Sequence, residues 1–368
     1  MQSRRVSALL MTLVAGAAIT VAGQGSPFGI RGLGIPARFE SVRARATGGG
    51  FAAFDELSVL NDASIAGITR ITAAAAVANS YLTDDLSGAH DTRRIGRFPL
   101  FQVVGPVRKA VVFGGGFAAY LDRSYRVVIQ DTITLSGSPQ AVTDVRSSDG
   151  GVTDLRFAAA KRFARLTVGV GLHLLTGSTR ELALRVFTDT SIYRSVSQAA
   201  RVSYHGVGYS AGVTLRVKRD LLLAGYWRAD GRLASEVSGT TVATHDLPMT
   251  IGAAVRWQPV PQGMLAASVT RRSWGSGADS GAFNTTSWSG GVELGSARLP
   301  LRLGVRGGEV PFGPGESAPH ELAVAAGSGV TLAGGRGVID FAVERLRRTG
   351  DGLTEGAWTI LIGLAVRP

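Results

Sequence analysis

Segment after segment of this chain alternates apolar residues with small or polar ones, and this period of two constrains the fold more than any other feature. From Leu166 to Leu174 every second residue is leucine or valine, and the residues between them are threonine, glycine and histidine. Similar alternation recurs at residues 249–257, 299–305, 339–344 and 357–366. Because side chains alternate across an extended strand, the pattern predicts β-strands with one apolar face and one small or polar face.

The residue types on the two faces indicate which face is turned inward. The non-apolar face is rich in glycine, alanine, serine, threonine and arginine, which suits a polar lumen better than the interlocking core of a soluble sandwich. Aromatic residues fall on the apolar faces, as in the interfacial girdle of a membrane barrel. They are Tyr209, Trp257, Trp288 and Trp358. The pattern favours an all-β transmembrane barrel of the outer membrane, and a soluble β-sandwich or propeller remains the alternative.

The composition supports the barrel. The chain is 45% hydrophobic and only 18% charged, below the usual quarter for soluble proteins. After Gln24, however, no run of 18 apolar residues could form a membrane helix. The chain has no cysteine, so a closed sheet rather than a disulfide would hold an exported protein of this size together.

Turn signals divide residues 65–368 into about 14 antiparallel strands. Long polar links are expected near residues 79–96, 178–201, 237–245 and 275–283. Tight turns are expected at residues 106–108, 161–163, 218–219 and 334–336. Short turns that alternate with long loops are typical of an up-and-down outer-membrane barrel.

The first 23 residues predict export. Arg4 and Arg5 precede an apolar run from Val6 to Val21, and small residues follow at Ala22 and Gly23. A charged start, a short apolar middle and a small-residue exit describe a cleaved secretory signal peptide. An uncleaved anchor helix is the alternative. With export, localisation in a bacterial outer membrane is expected.

Residues 24–64 do not alternate and are expected to form an N-terminal plug, or hatch, ahead of the barrel; a disordered leader is the alternative. This part contains Gly-Leu-Gly at residues 32–34, Ala-Arg-Ala-Thr-Gly-Gly-Gly-Phe-Ala-Ala at residues 44–53 and Asp-Glu-Leu-Ser-Val-Leu-Asn-Asp-Ala-Ser at residues 55–64. The order of these sequences resembles the start of FadL-type outer-membrane transporters. The resemblance implies a hatch inside a fourteen-stranded barrel, with an Asn-Pro-Ala motif before the first strand. Asn61 and Ala63 match that motif, whereas Asp62 replaces its proline.

The resemblance also implies a function. FadL-type transporters take up hydrophobic molecules, such as long-chain fatty acids, through the lumen and through a lateral opening beside a kinked third strand. Gly114, Gly115 and Gly116 lie in the third predicted strand, and glycine within a strand often marks a bend. We expect the kink at this triplet; the alternative is that the glycines make room for the hatch.

Lumen-facing basic residues are candidate ligand-binding residues. An arginine can bind a carboxylate headgroup through two hydrogen bonds and is weakly hydrated, which suits a partly dry pocket. The candidates are Arg156, His173, Arg216, Arg256, Arg302 and Arg306. Alternatively, these residues pair with acidic residues on neighbouring strands and fill the interior with ion pairs. The acidic residues in question are Asp154, Glu293, Glu321, Asp340 and Glu344.

Other functional classes receive little support from the sequence. The 5 histidines occur singly, and the sequence contains no nucleophile elbow, histidine metal motif or phosphate-binding loop. No catalytic residue, metal or cofactor is therefore expected. Arginine carries most of the net charge of +12, but export makes nucleic acid an unexpected partner. Expected partners are outer-membrane lipid, lipopolysaccharide and a hydrophobic ligand. A secretion shuttle or scaffold barrel, with a protein partner from a secretion system, is the main alternative; a lipid-modifying barrel enzyme and a general porin are the others.

Overall fold

A computed structural model describes residues 25–38, 40–86, 89–108, 110–135, 137–274, 282–296, 298–313 and 315–368. The signal peptide predicted for residues 1–23 lies outside these residues, as does most of the long link predicted at 275–283. No helix in the described part of the chain is long and apolar enough to span a membrane.

Strands dominate the structure. In chain order they are β1 (Ile35–Pro36), β2 (Thr72–Leu86), β3 (Ala89–Arg108), β4 (Val111–Asp122), β5 (Tyr125–Leu135), β6 (Ser138–Arg162), β7 (Leu166–Phe187), β8 (Val196–Arg216), β9 (Leu221–Val237), β10 (Thr240–Asp246), β11 (Met249–Val260), β12 (Gly263–Ser273), β13 (Thr285–Ser296), β14 (Leu299–Glu309), β15 (His320–Leu332), β16 (Gly337–Gly350) and β17 (Leu353–Val366). Among the described residues, the helical elements are one α-helix, α1 (Val42–Ala46), and the short 3-10 helices Pro27–Gly29, Asp62–Gly67 and Ala333–Gly335.

Fourteen of these strands form a closed antiparallel ring, and β1, β5 and β10 lie outside it. The ring closes between its last and first strands, where β17 pairs with β2 from Leu353 opposite Leu86 to Val366 opposite Ala73. This pairing leaves no free sheet edge, so all spanning backbone groups can be satisfied within the sheet. The predicted barrel of about 14 antiparallel strands is confirmed.

The alternating residues separate into an apolar outside and a polar inside. On β7, Leu172 is 38% exposed on the outer face, whereas its neighbour His173 is 1% exposed on the inner face. The predicted aromatic residues Tyr209, Trp257, Trp288 and Trp358 are also exposed on the outer face, as is Trp227. A ring with an apolar outside and charged residues within is built for a lipid environment, because a soluble barrel would bury its apolar face instead.

The two ends of the barrel differ. At the short-turn end, strands are joined by tight connections such as Arg162 to Leu166, and the tight turns predicted from the sequence all lie here. The opposite end is here called the long-hairpin end. There β6, β7 and β8 continue far beyond the roughly 9 to 11 residues that a membrane-spanning strand needs. The outer half of β6 pairs with β5 instead of β4.

Several boundaries differ from the predicted ones. Most of the polar stretch at residues 178–201, expected as a loop, continues the hairpin of β7 and β8 from Thr179 opposite Val202 to Arg185 opposite Val196. Residues 79–96 likewise belong mainly to β2 and β3. The sequence misled here because strands that leave the membrane lose their apolar face but keep their hydrogen-bonded partner. The first ring strand begins at Thr72 rather than at residue 65, since Asp62–Gly67 is a 3-10 helix.

Residues 40–71, here called the N-terminal segment, contact the inner faces of strands on opposite sides of the ring. Helix α1 begins at the N-cap Ser41 and packs against β14, β15, β16 and β17. The 3-10 helix Asp62–Gly67 begins at the N-cap Asn61 and packs against β4, β6, β7 and β8. Thr47 and Ile65, one beside each helix, are completely buried.

Glycines on the inner face of the ring allow this close approach. A Cβ atom at Gly304 of β14 would collide with the backbone of Thr47 and Gly48 in the N-terminal segment. By contrast, a Cβ atom at Gly290 of the adjoining strand β13 would meet nothing within 4 Å. The wall and the segment are therefore in direct backbone contact at Gly304.

We predict that Gly304→Val displaces the turn after α1, because the added side chain overlaps backbone that cannot rotate away. The expected cost is about 1–3 kcal/mol, and ion conductance of the reconstituted protein in planar bilayers should rise. Gly290→Val is the matched control and should conduct as the wild type does. Equal conductance of the two variants would show that the segment does not seal the lumen at Gly304.

Candidate functional site

Two of the predicted ligand-binding arginines are engaged in ion pairs across the inner wall. The Arg302 guanidinium contacts Glu293 at 2.7 Å and Asp340 at 2.6 Å. Arg306 contacts Glu344 at 3.0 Å. All five side chains lie on β13, β14 and β16 and are largely buried, so these arginines are occupied before any ligand arrives. The charged ladder anticipated as the alternative is present here.

The N-terminal segment joins the same ladder. Arg43 forms two hydrogen bonds of 2.9 Å with Glu293, and Arg45 contacts Glu344 at 2.9 Å. Each carboxylate thus bridges an arginine of α1 and an arginine of β14. A buried ion pair is costly to leave half-made, so these bridges favour one position of α1 in the lumen.

A second polar network holds the other side of the segment at Asp62. Arg156 of β6 donates to Asp62 from Nε at 2.9 Å and also from Nη2. Ser210 of β8 donates to the second carboxylate oxygen of Asp62 at 2.5 Å. His173 lies between Ser210, 2.7 Å from Nε2, and Asp154, 2.8 Å from Nδ1. The structure therefore brings the predicted residues Arg156 and His173 together, but around the segment's own carboxylate.

This network contains a serine, a histidine and an aspartate in hydrogen-bond sequence, which is the order of a catalytic triad. A nucleophilic serine must give its proton to the histidine. Here Ser210 donates its single hydrogen to Asp62 at 2.5 Å, so that hydrogen is not directed at the Nε2 atom of His173. His173 is 1% exposed and faces the lumen rather than the lipid. In this arrangement the Ser210 hydroxyl links strand β8 to Asp62 of the segment.

Asn61 caps and anchors the 3-10 helix. Its side-chain oxygen accepts from the Ala63 amide at 3.1 Å, and its side-chain nitrogen donates to the Ala53 carbonyl at 2.9 Å. A longer contact of 3.3 Å reaches the Thr214 hydroxyl on β8. The hatch motif predicted at residues 61–63 is thus the point at which the segment is fixed to the wall.

The glycine triplet of β4 does not interrupt the sheet. Pairing is continuous through Gly114, Gly115 and Gly116 on both edges of the strand, and the register shifts instead between Ala119 and Leu121. The predicted kink at the triplet is therefore wrong. Gly116 leaves room for Gln102, whose amide donates to the Leu57 carbonyl at 2.6 Å, in agreement with the alternative that the glycines accommodate the segment.

A cavity of about 480 Å³ opens above the segment, toward the long-hairpin end; it is here called the vestibule. Its apolar wall comes from β2, β3, β4, β16 and the segment. The main apolar residues are Leu60, Leu82, Ile95, Leu121 and Leu346. Its charged wall carries one arginine that precedes the segment, one from the segment and four from β3, β12, β14 and β16: Arg38, Arg45, Arg97, Arg272, Arg306 and Arg348. The vestibule is thus amphipathic.

Within the described part of the chain, Arg272 is the one vestibule arginine without an ion pair or a side-chain hydrogen bond. Arg38 pairs with Glu40 at 2.8 Å, and Arg97 donates to Asp122 at 2.8 Å. The others pair with the acidic residues Glu321, Glu344 and Glu355. Burial opposes ionisation of Glu40, but Arg38 and Arg45 lower the pKa of Glu40 to about 2, which keeps Arg38 engaged.

Arg272 also lines a small inner chamber of about 30 Å³, which adjoins the vestibule at Leu60 and Leu121. This volume holds about one or two waters or a small polar group. Two further residues of the chamber wall, Arg228 and Trp274, have buried N–H groups with no partner among the described residues, at Nη2 and Nε1 respectively. Buried donors without acceptors are costly, so the chamber is suited to a group that supplies acceptors.

The remaining predicted residues, Arg216 and Arg256, lie elsewhere. They line a separate cavity of about 230 Å³ at the short-turn end, together with Arg162 and Arg165. The six predicted ligand-binding residues are therefore divided among the ion-pair ladder, the Asp62 network and this lower cavity, and the sequence pattern did not distinguish these environments.

Comparison with known proteins identifies the fold. No family profile and no curated protein matches the sequence. Among solved structures, a FadL homologue of Pseudomonas aeruginosa superposes with a TM-score of 0.63 at 12% identity, over 91% of this chain and 99% of that one. The toluene transporter TodX of Pseudomonas putida gives 0.59 at 14% identity over 90% and 98%, and the CymD monoaromatic hydrocarbon channel gives 0.58 at 12% identity over 91% and 98%.

The chain has the FadL-type barrel fold. The resemblance suggested by residues 32–64 is thus supported by the structure of nearly the whole chain. Within this FadL-type fold, Asp62 stands where the resemblance places a proline. The substitution gives the hatch motif a charge, and that charge is what Arg156 and Ser210 bind.

Sequence reasoning missed Arg272. The alternation of β12 offered the signal: Val269 and Arg271 share the outward face, whereas Thr270 and Arg272 face inward. The pattern does not reveal that Arg272 has no partner among the described residues, because this depends on the side chains that other strands place nearby.

We predict that Asp62→Asn weakens the attachment of the segment by about 3–5 kcal/mol, because it leaves Arg156 buried without its counter-charge. Amide hydrogen exchange at Ala63–Gly67 should accelerate. The double variant Asp62→Asn/Arg156→Met, which removes both charges, should recover part of the protection. If the single and double variants exchange equally fast, the ion pair is not what holds the segment.

The attachment should also persist in mild acid. Burial opposes ionisation, but Arg156 and the Ser210 hydroxyl lower the pKa of Asp62 below its ordinary value of 3.8. A carboxylate with a lowered pKa stabilises the folded state fully above the unfolded pKa and loses this effect only as pH falls through the lower folded pKa. Exchange protection at Ala63–Gly67 should therefore be constant from pH 7 to about 4 and fall below it; a loss between pH 6 and about 5 would contradict this assignment.

Proposed function

We propose that this protein is an outer-membrane channel for passive uptake of hydrophobic and amphipathic small molecules, including long-chain fatty acids. The observation that carries the proposal is the vestibule, an amphipathic cavity with an unpaired arginine within the described residues, above a segment that packs against the inner wall of a FadL-type barrel. The names of the superposable structures, a FadL homologue and channels for toluene and monoaromatic hydrocarbons, support a hydrophobic cargo.

The apolar wall would supply most of the binding free energy. Each methylene group removed from water contributes about 0.8 kcal/mol, so a chain lying along Leu82, Ile95 and Leu346 would be held without any polar contact. Such a wall binds hydrocarbons and acyl chains alike. The residues that separate these ligands must therefore be polar.

Arg272 is suited to that separation. A carboxylate in the inner chamber would accept hydrogen bonds from its guanidinium, and it would lie beside Arg228 and Trp274, which have donors to spare. A charge-assisted hydrogen bond contributes about 1.5–3 kcal/mol, which is enough to favour a fatty acid over a hydrocarbon of similar length. We assign Arg272 the headgroup and the vestibule the chain.

Passage beyond the chamber would require the segment to move, because its helices pack against the inner wall on opposite sides of the ring. The part that moves would be the 3-10 helix after Asn61. Its movement would require the hydrogen bonds of the Asp62 network to break. The channel has no energy source of its own in this scheme, so uptake follows the ligand gradient. The apolar outer face would contact membrane lipid and, in the outer leaflet, lipopolysaccharide.

We predict that Arg272→Gln lowers uptake of radiolabelled oleate about tenfold and leaves uptake of toluene unchanged. The host is a bacterium that lacks its own long-chain fatty-acid channel, and initial rates are measured at several oleate concentrations. The effect should appear in the half-saturating concentration, since the arginine binds rather than reacts.

Arg271→Gln is the matched control, because Arg271 lies next to Arg272 on the same strand but faces outward. It removes the same charge and should leave oleate uptake intact. Uptake of toluene but not oleate by the wild type would refute the fatty-acid assignment and retain the channel. Uptake of neither ligand, with a protein partner co-purifying from the native membrane, would favour the secretion-shuttle alternative.

A further inference from the structure

A belt of basic side chains lies at the short-turn end, beneath the N-terminal segment and across the lumen from the vestibule. The cavity of about 230 Å³ found there is lined by Arg162, Arg165, Arg216 and Arg256. The hydroxyl residues Ser64, Thr167 and Thr214 also line it, and the Ser64 hydroxyl donates to the Asn61 carbonyl at 2.8 Å. We refer to these seven residues as the basal belt.

The strand register places the belt on one arc. Arg162 of β6 pairs with Thr167 of β7, which in turn pairs with Thr214 of β8. Arg216 lies two residues after Thr214 on β8 and so shares its face. It pairs with Leu222 of β9, and Leu222 pairs with Arg256 of β11. The arc thus runs across neighbouring strands without a gap, and the cavity is its concave side.

The segment orients two of these arginines. Arg162 donates from Nη2 to the Ala66 carbonyl at 2.7 Å. The Arg256 guanidinium lies over the Phe54 ring, 5.7 Å from its centroid. Both contacts leave other N–H groups of each guanidinium available, because an arginine carries five donors.

The belt lacks the counter-charges found higher in the lumen. Among the described residues, none of its four arginines has a carboxylate within ion-pair distance, whereas Arg302, Arg306 and Arg228 each have one or more. The one acidic residue of this cavity is Glu56. Burial and nearby Asp55 raise the pKa of Glu56, and among the described residues Glu56 is not within ion-pair distance of any of the four arginines.

We infer that the basal belt binds a small oxyanion, a carboxylate or a phosphate group, with Arg216 and Arg256 as its principal ligands. Four cations held on one arc repel each other, and a bound oxyanion relieves that repulsion while it accepts hydrogen bonds from guanidinium and hydroxyl groups. The planar guanidinium suits both anions. This site is separate from the vestibule and does not depend on what the protein transports.

Two sources could supply the oxyanion: the headgroup of an amphiphile that has passed the segment, or a free anion from the solution at the short-turn end. The test uses equilibrium dialysis of the full-length detergent-solubilised protein with radiolabelled inorganic phosphate and, separately, radiolabelled hexanoate. The Arg272→Gln variant serves as the parent protein, so that the vestibule contributes no headgroup binding.

We predict that adding Arg216→Gln and Arg256→Gln weakens binding of at least one probe about tenfold or more. The matched control adds Arg298→Gln and Arg336→Gln, which remove the same charge from other turns at this end and should change binding less than about twofold. Arg216 is the last residue of β8, Arg256 lies within β11, and Arg298 and Arg336 lie in turns; heat-modifiable gel mobility verifies that each variant is folded.

The outcomes separate the sources. Phosphate binding that is lost with the belt identifies a site for free oxyanions, and hexanoate binding alone identifies a carboxylate site for an amphiphile. Equal weakening by the control pair would mean general attraction to a basic surface and would overturn the proposal. Binding of neither probe to the parent protein would overturn it as well, whereas failure of oleate uptake would leave it standing.

Discussion

The contact between Asp62 and Arg156 is the interaction on which the arrangement of the lumen depends. It joins the N-terminal segment to the wall where Asn61 begins the 3-10 helix, and it is reinforced by Ser210, His173 and Asp154. With both charges buried, the pair is stable only when it is complete. The segment therefore has one favourable seat on this side of the ring, and the cavities above and below it take their shape from that seat.

A second seat lies across the lumen, where Glu293 and Glu344 each bridge an arginine of α1 and an arginine of β14. Together the two seats explain why so many arginines inside the barrel are unavailable to a ligand. These arginines neutralise the carboxylates that hold the segment in place. The polar interior of the barrel thus serves to attach the segment to the wall. The arginines left over, Arg272 above and the basal belt below, lie on opposite sides of the segment and are consequently the ones to which a functional role is assigned.

The fold was largely predictable from the sequence because alternation is a property of each strand by itself. The run from Leu166 to Leu174 indicates its outward face whatever its neighbours are, and the predicted count of about fourteen ring strands followed from such runs. Prediction failed where polar strands leave the membrane, as at residues 178–201, since a hairpin held by its own backbone pairing needs no apolar face. It failed also at the glycine triplet, where Gly116 serves the approach of Gln102 rather than a bend.

The candidate site was less accessible to sequence reasoning. By itself the sequence determined that the chain alternates, that inward positions carry arginine and glycine, and that residues 24–64 precede the alternating part of the chain without joining its pattern. Only the tertiary structure decided which arginines meet a carboxylate: Arg156 finds Asp62, which is 94 residues away, and Arg272 finds none among the described residues. The physical reason is that the local backbone geometry of one strand sets the face on which each side chain lies. Charge pairing depends instead on the register between strands and on the position of a separate segment.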